Sequence, residues 1–174
     1  NRGTIMNLSA SGTIDGTSKV GGICGYNGGY GLIYNCSFSG SVSGQIFEVG
    51  GICGENSNIV ENCYAIADVE ALKNAGGICG ISESTLGTPA INNCYFVGKV
   101  NARANVDAIC GSNSGEISNC YYNTDTCNVT SEKGAGLTTI QMTSNNALAT
   151  MKFNNFIWLK KETDKENGVA YYPM

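Results

Sequence analysis

A strand-rich phrase recurs along most of the chain, and this repetition constrains the fold more than any other feature. Gly-Gly-Ile-Cys-Gly occupies residues 21–25, 50–54 and 76–80, and a diverged copy, Asp-Ala-Ile-Cys-Gly, occupies residues 107–111. A second phrase follows each copy: an aliphatic residue, a spacer and then Asn-Cys. A third phrase places Ile or Val six residues after that cysteine, or after the leucine that replaces it.

The second phrase sets the length of the repeat. Its asparagines are 26 to 31 residues apart, and they are Asn7, Asn35, Asn62, Asn93 and Asn119. The variation falls in connecting segments such as residues 83–89, whereas the spacing inside each phrase is constant. Each phrase is too short for a helix and is rich in residues that favour strands. The pattern therefore predicts stacked coils of three strands, joined by loops of variable length.

The predicted fold is an all-β, right-handed parallel β-helix (solenoid) of about five coils with a small mixed α/β C-terminal cap. The composition agrees, because 24 glycines among 174 residues without a three-residue period indicate many tight turns. The expected inward positions are Ile23, Ile52, Ile78 and Ile109 in the first phrase, and Ile5, Ile33, Val60, Ile91 and Ile117 in the second.

Two other columns receive structural roles. The last glycine of the first phrase is expected at a position that needs a positive φ or a close backbone approach: Gly25, Gly54, Gly80 and Gly111. Asn7, Asn35, Asn62, Asn93 and Asn119 are predicted to form a structural ladder in which each amide bonds to the next coil.

The nine cysteines form two ladders with one left over. The first ladder is Cys24, Cys53, Cys79 and Cys110; the second is Cys36, Cys63, Cys94 and Cys120; Cys127 stands alone. Zinc is disfavoured, because structural zinc sites use closely spaced cysteine pairs. Disulfides between coils and reduced thiols in a narrow core remain as alternatives. Reduced thiols are preferred, since Leu8 takes a cysteine's place in one column.

The repeat pattern ends after Cys120, and the chain divides into solenoid repeats at residues 1–127 and a C-terminal capping segment at residues 128–174. Thr138 and Gln141 have the spacing of a helix capping box, and a helical stretch is expected over residues 146–151. A solenoid needs a cover for its last coil. The apolar cluster that contains Trp158 is predicted to supply it.

These residues resemble a known repeat family. The phrase Val-Gly-Gly-Ile-Cys-Gly-x-Asn (residues 20–27 and 49–56), followed by Ile-x-Asn-Cys and Gly-x-Val, is similar to the GLUG motif. The resemblance implies a secreted or cell-surface bacterial protein of the adhesin-like kind, or a non-catalytic region of an immunoglobulin A-specific metallopeptidase. The chain enters the repeat in mid-pattern, so we expect a fragment of a longer protein.

No enzymatic activity is predicted for this chain. It contains no histidine, which excludes a Ser-His-Asp triad and an H-E-x-x-H zinc site, so a parent peptidase would carry its active site elsewhere. No column places acids in adjacent coils. The alternative is a polysaccharide-acting β-helix enzyme, a lyase or glycoside hydrolase with a site assembled from loops. No cofactor or metal is expected.

The preferred function is adhesion, ligand binding or spacing. Tyr26, Tyr30 and Tyr34 are the candidate ligand contacts, since exposed tyrosines stack on sugars and on protein partners. Tyr64, Tyr95 and Tyr121 share one column and are expected to stack across coils. A host glycan or protein is the expected partner. A net charge of −4 argues against nucleic acid, and no segment is long and apolar enough to span a membrane.

Overall fold

The fold is described by a computed structural model covering residues 1–144 and 146–153. Most of the apolar cluster around Trp158 lies outside the described residues. Within them the chain forms three parallel sheets and two short helices. Each sheet collects one segment from successive turns of the chain, so the chain is an all-β parallel β-solenoid, as the repeat predicted.

Sheet A contains the second phrase of each repeat. Its strands pair in chain order: β1 (Thr4–Met6), β4 (Leu32–Tyr34), β7 (Ile59–Glu61), β11 (Ala90–Asn92) and β16 (Glu116–Ser118). The register superposes the predicted inward residues Ile5, Ile33, Val60, Ile91 and Ile117. The five stacked strands correspond to the five predicted coils.

Sheet C contains the cysteine end of the first phrase. It consists of β3 (Cys24–Asn27), β6 (Cys53–Asn56), β10 (Cys79–Ser82) and β15 (Cys110–Asn113). The first cysteine ladder is in register across all four strands.

Sheet B contains the third phrase and the segments that follow it. Two long strands, β2 (Ser9–Gly21) and β5 (Ser37–Gly50), lie in the first two coils. Later coils divide the same path into shorter strands: β8 (Tyr64–Glu70), β9 (Lys73–Gly76), β12 (Tyr95–Val97), β13 (Val100–Asn101), β14 (Ala104–Asp107) and β17 (Tyr121–Asn123). A further strand, β18 (Ala135–Leu137), pairs with β17 in parallel.

The narrow interior holds the predicted inward residues. Ile33, Ile52, Val60, Ile78, Ile91 and Ile109 are fully buried. Ile5 and Ile23 are partly exposed, because the first coil has a neighbour on one side only. Burial of a large aliphatic side chain contributes about 1.5–3 kcal/mol, so the stacked columns are the main source of stability.

The glycine column meets one of its two predicted conditions, close backbone approach, whereas the asparagine column adopts a positive φ. Gly25, Gly54, Gly80 and Gly111 do not adopt a positive φ; they allow close backbone approach, since a Cβ at Gly80 would lie 2.4 Å from the Val49 nitrogen. The asparagine column lies at left-handed turn positions, with φ between 49° and 55°. Asparagine tolerates this conformation better than most residues, which explains its recurrence at this corner.

The residues that follow the last coil occupy two places. Cys127 and Val129 pack against the interior, and the Ala108 N–H donates to the Thr130 carbonyl at 3.1 Å, so this segment covers the end of the stack. Two short helices, α1 (Thr139–Thr143) and α2 (Ala147–Thr150), come next. The predicted capping box is present, with Thr138 and Gln141 bonded reciprocally.

The helices pack on the side of the solenoid rather than over its end. Tyr64 and Tyr95 lie in one column with Tyr121, and the first two rings are stacked with centroids 4.9 Å apart. Met142 of α1, together with Ala147 and Met151 of the α2 region and Phe153, packs on this column in a second apolar cluster. The predicted cross-coil stack is therefore present between Tyr64 and Tyr95, and the tyrosine column is also the surface that receives the helices.

No helix in residues 1–144 and 146–153 is long and apolar enough to cross a membrane.

Candidate functional site

The candidate tyrosines flank the turn between sheets C and A. Tyr26 lies in β3, Tyr34 in β4, and Tyr30 in the connecting turn. Tyr30 is 92% exposed and Tyr26 is 40% exposed. Tyr34 is half-buried beside the inward Ile33, so its side chain is on the outer side of sheet A. The structure brings Tyr26 and Tyr30 to one surface and leaves Tyr34 apart from it.

This surface is a groove formed by two adjoining cavities of about 360 and 320 Å³. Both cavities are bordered by Ser57 and Ser84, so they form one depression, which we call the turn groove. Its lining consists of Tyr26, Gly29, Tyr30, Glu55, Ser57, Asn58, Glu83, Ser84, Thr85, Leu86, Gly87, Thr88 and Ser114. The groove crosses four coils, and most of its lining side chains carry hydroxyl, amide or carboxylate groups.

Backbone hydrogen bonds between coils hold part of the groove in register. The Ser57 N–H donates to the Asn27 carbonyl at 2.7 Å, the Glu83 N–H to Asn56 at 3.0 Å, and the Ser114 N–H to Ser82 at 2.9 Å. Ser57, Glu83 and Ser114 therefore occupy equivalent positions in successive coils, spaced by the ~4.8 Å separation of neighbouring strands. We call these three residues the floor column.

A buried polar ladder lies beside the floor column. The Asn27 amide nitrogen donates to the Asn56 amide oxygen at 2.9 Å, and Asn56 donates to the Ser82 hydroxyl at 3.3 Å. All three side chains are fully buried. The same amides also bond to main-chain carbonyls of the turn, including Gly31 and Asn58. This ladder was not predicted from the sequence. The sequence signal that could have indicated it is the asparagine two residues after the glycine of the Cys-Gly phrase.

Replacing Asn56 with alanine is expected to lower the free energy of unfolding by about 2–3 kcal/mol, because buried partners would lose their hydrogen bonds. Asn58→Ala is the matched control. Its side chain makes an exposed bond to the Gly29 carbonyl, so the expected loss is below about 1 kcal/mol. Urea unfolding followed by circular dichroism measures both. Equal losses would contradict a structural role for the buried ladder.

Charged groups cluster at the Tyr26 end of the groove. The Lys19 ammonium contacts the Glu55 carboxylate at 2.6 Å and lies 5.0 Å from the centroid of the Tyr26 ring. The bond to Glu55 raises the pKa of Lys19. Partial burial, followed by the charge of Glu55, raises the pKa of Glu48, to which Glu83 also contributes. Four charged side chains from three coils therefore share one electrostatic environment.

Sequence columns did not reveal this grouping of acids. Glu48 and Glu55 belong to one coil, on either side of the Gly-Gly-Ile-Cys-Gly phrase, and Glu83 follows β10 in the next coil. A search for acids at equivalent positions finds none of these pairs. The corner between sheets B and C and the loop after β10 bring them together instead.

The predicted asparagine ladder follows a different corner, between sheets A and B. Amide hydrogen bonds of 3.2 Å join Asn35 to Asn7 and Asn119 to Asn93. Within the described residues, the Asn35 amide oxygen and the Asn62 amide nitrogen are buried without a partner. These side chains border neither cavity of the turn groove.

All nine cysteines are free thiols in the structure. Thiols of both ladders donate to main-chain carbonyls two residues away, as Cys53 does to Glu55 at 3.0 Å and Cys94 to Asn92 at 3.1 Å. Burial raises the pKa of Cys53, Cys79, Cys94 and Cys110. These thiols are therefore neutral and weakly nucleophilic near neutral pH.

No group of three or more His, Cys, Asp or Glu side chains suited to a metal ion occurs in the part of the chain that the structure describes.

Comparisons with known proteins agree with the repeat and the fold. The family model described as the GLUG motif matches residues 16–43 and 47–70, which confirms the resemblance seen in the sequence. No curated protein sequence matches the chain. A similar solved structure is that of a Bacteroides ovatus protein described, provisionally, as an immunoglobulin A1 protease. The TM-score is 0.70 at 22% identity, over 98% of this chain and 57% of that one.

Proposed function

Because the chain carries GLUG repeats on a parallel β-solenoid, we propose that it is a non-catalytic binding scaffold of a secreted or cell-surface bacterial protein. The repeated positions are mainly inward or turn residues, whereas the residues of the turn groove differ from coil to coil. The repeated residues thus build the solenoid, and the residues of the groove form a surface that is not repeated.

The exposure of Tyr30 carries this proposal. A tyrosine that is 92% exposed contributes almost nothing to the core, yet it lines the same cavity as Leu86, which is 90% exposed. Aromatic side chains are enriched among residues that dominate binding energy. The groove is also supported by buried hydrogen bonds, so its shape is fixed before a ligand arrives.

The proposed secreted or cell-surface location is supported by the GLUG repeat and by the similar solved structure. The structural likeness concerns the fold alone, and this chain spans 57% of the neighbour's length. If the parent of this chain is a peptidase, we infer that this region positions or anchors the enzyme while the active site lies elsewhere.

Polysaccharide cleavage is the second candidate function, and the acids at the groove favour it. Glu48, Glu55 and Glu83 share an electrostatic environment, and a carboxyl group with a raised pKa is a common general acid. Against this role, Glu55 is engaged by the Lys19 ammonium. Binding therefore remains the preferred function.

The proposal is tested by measuring binding and turnover on the same ligands. The protein is applied to immobilised glycans and to host extracellular proteins, and each ligand that it retains is incubated with it and analysed for cleavage products. We expect retention of at least one ligand without turnover. Tyr30→Ala is expected to reduce retention at least tenfold.

Ile140→Ala is the matched control, because Ile140 is a 78% exposed apolar residue on α1, outside the groove. This variant should bind like the unmodified protein. Cleavage of any ligand would replace the scaffold proposal with the enzymatic one. An equal loss of ligand retention in Tyr30→Ala and Ile140→Ala would show that the groove is not the binding surface.

A further inference from the structure

The floor column repeats along the solenoid axis. Ser57, Glu83 and Ser114 are fixed by backbone hydrogen bonds of 2.7–3.0 Å to the preceding coils. Polar groups thus recur at the ~4.8 Å spacing of stacked strands. This distance is close to the length of one pyranose ring in an extended β-linked chain, so a linear oligosaccharide lying along the axis would place one ring beside each polar side chain of the column.

The groove offers the hydrogen-bonding groups that sugar hydroxyls require. Ser57, Ser84, Thr85 and Ser114 supply hydroxyls that donate and accept, and the carboxylates accept. Ser57 and Ser84 border both cavities and lie midway along the groove. A protein partner fits this lining less well, because the centres of protein interfaces are depleted in charged residues.

The groove also presents exposed apolar side chains. Tyr30 is 92% exposed and Leu86 is 90% exposed, and both border the same cavity. Tyr26 borders the other cavity and is held by the Lys19 ammonium near its ring. The exposed Tyr30 ring beside the hydroxyl groups of the groove matches a pyranose ring, which presents C–H groups on its faces and hydroxyls at its rim.

The charge of the groove selects among sugars. Glu55 and Glu83 line it, Glu48 lies in electrostatic range, and the whole chain carries a net charge of −4. A uronic acid or sialic acid would place like charges close together, which is unfavourable. We propose, on the basis of the binding function above, that the turn groove binds a linear, uncharged β-linked oligosaccharide parallel to the solenoid axis, one ring per coil.

Isothermal titration calorimetry with defined oligosaccharides tests this assignment. The probes are cello-oligosaccharides and chito-oligosaccharides of two to six rings, with oligogalacturonates of the same lengths as the acidic series. We expect affinity for at least one neutral series to rise with each ring up to about four, the number of coils that the groove crosses, and then to level off. Acidic oligomers should bind at least tenfold more weakly.

Two variants separate stacking from charge selection. Tyr30→Ala should weaken binding of the neutral tetramer at least tenfold, whereas Ile140→Ala should leave it unchanged. Glu83→Gln keeps the size of the side chain and removes its charge, so it should lower the ratio between the affinities for the neutral and the acidic series. Circular dichroism of each variant establishes that the solenoid is intact.

The outcomes distinguish this inference from the proposed function. Absence of binding to both neutral series, combined with a protein ligand whose retention depends on Tyr30, would overturn the oligosaccharide assignment and leave the scaffold function in place. Preference for the acidic series would also overturn it. Affinity that does not change with chain length would refute the axial, one-ring-per-coil orientation.

Discussion

Raising the pH from 8 to 10 is expected to lower the free energy of unfolding by up to about 2 kcal/mol for each thiol that burial holds neutral in the native state. Burial raises the pKa of four fully buried thiols, those of Cys53, Cys79, Cys94 and Cys110. An unfolded cysteine ionises near pH 8.5, so above that pH the unfolded state binds fewer protons than the native state. The contribution of these thiols to the free energy of unfolding is fully present below this pH. Above it, the free energy of unfolding falls by up to about 1.4 kcal/mol per pH unit for each such thiol.

Urea unfolding midpoints at pH 7, 8, 9 and 10, measured with a non-thiol reductant, test this expectation. Cys79→Ala is the control for tyrosine ionisation: it should be less stable at pH 7, and its stability should fall less steeply above pH 8.5. Titration of the denatured chain without reductant should find about nine thiols, whereas one would indicate disulfides. A midpoint that is constant from pH 8 to 10 would contradict the buried-thiol explanation.

The architecture could be predicted from sequence because the coils repeat at the level of residues. Each sheet superposes positions that carry the same residue type, as the isoleucines of sheet A and the cysteines of sheet C do. Similar residues stacked at a constant spacing have few other ways to bury their apolar side chains. The capping box before α1 could also be predicted, since it depends on two residues three positions apart.

The groove could not be predicted in the same way, because its residues do not repeat. Glu48, Glu55 and Glu83 come from a corner, a strand end and a loop, and their proximity depends on how the coil closes. Leu86 lies in a segment whose length is specific to one repeat. Of the three candidate tyrosines, Tyr34 was separated from Tyr26 and Tyr30 by the alternation of side chains along β4, which turns it to the outer side of sheet A.

Backbone conformation was the second feature that could not be predicted from the sequence. A glycine that recurs in every coil satisfies either a positive φ or a close approach, and the sequence does not distinguish these causes. The structure assigns the left-handed turns to Asn35 and its equivalents, and close approach to Gly25 and its equivalents. The position of the tail was likewise outside the repeat pattern, because Tyr95 and Tyr121 serve as a docking surface for Met142 on the outside of sheet B.

Gly77→Ala is expected to lower the free energy of unfolding by about 3 kcal/mol or more, through overpacking of the interior. A Cβ at this position would lie 2.2 Å from the Ala108 carbonyl oxygen and 2.3 Å from the Phe96 ring. The first obstacle is the main chain of the next coil and the second is a fully buried side chain, so neither can move without displacing neighbours. Urea unfolding and thermal melting measure the loss.

Two control variants distinguish this steric effect from a general intolerance of alanine. A Cβ added at Gly87 would have no other atom within 4 Å, so Gly87→Ala should change stability by less than about 0.5 kcal/mol. Ala108 occupies the position equivalent to Gly77 in the next coil, where the main chain beyond it belongs to the closing segment at Thr130. Ala108→Gly should therefore cost only about 1 kcal/mol, mainly through backbone entropy. A loss for Gly77→Ala as small as that for Gly87→Ala would contradict the close contact between the main chains of neighbouring coils at Gly77.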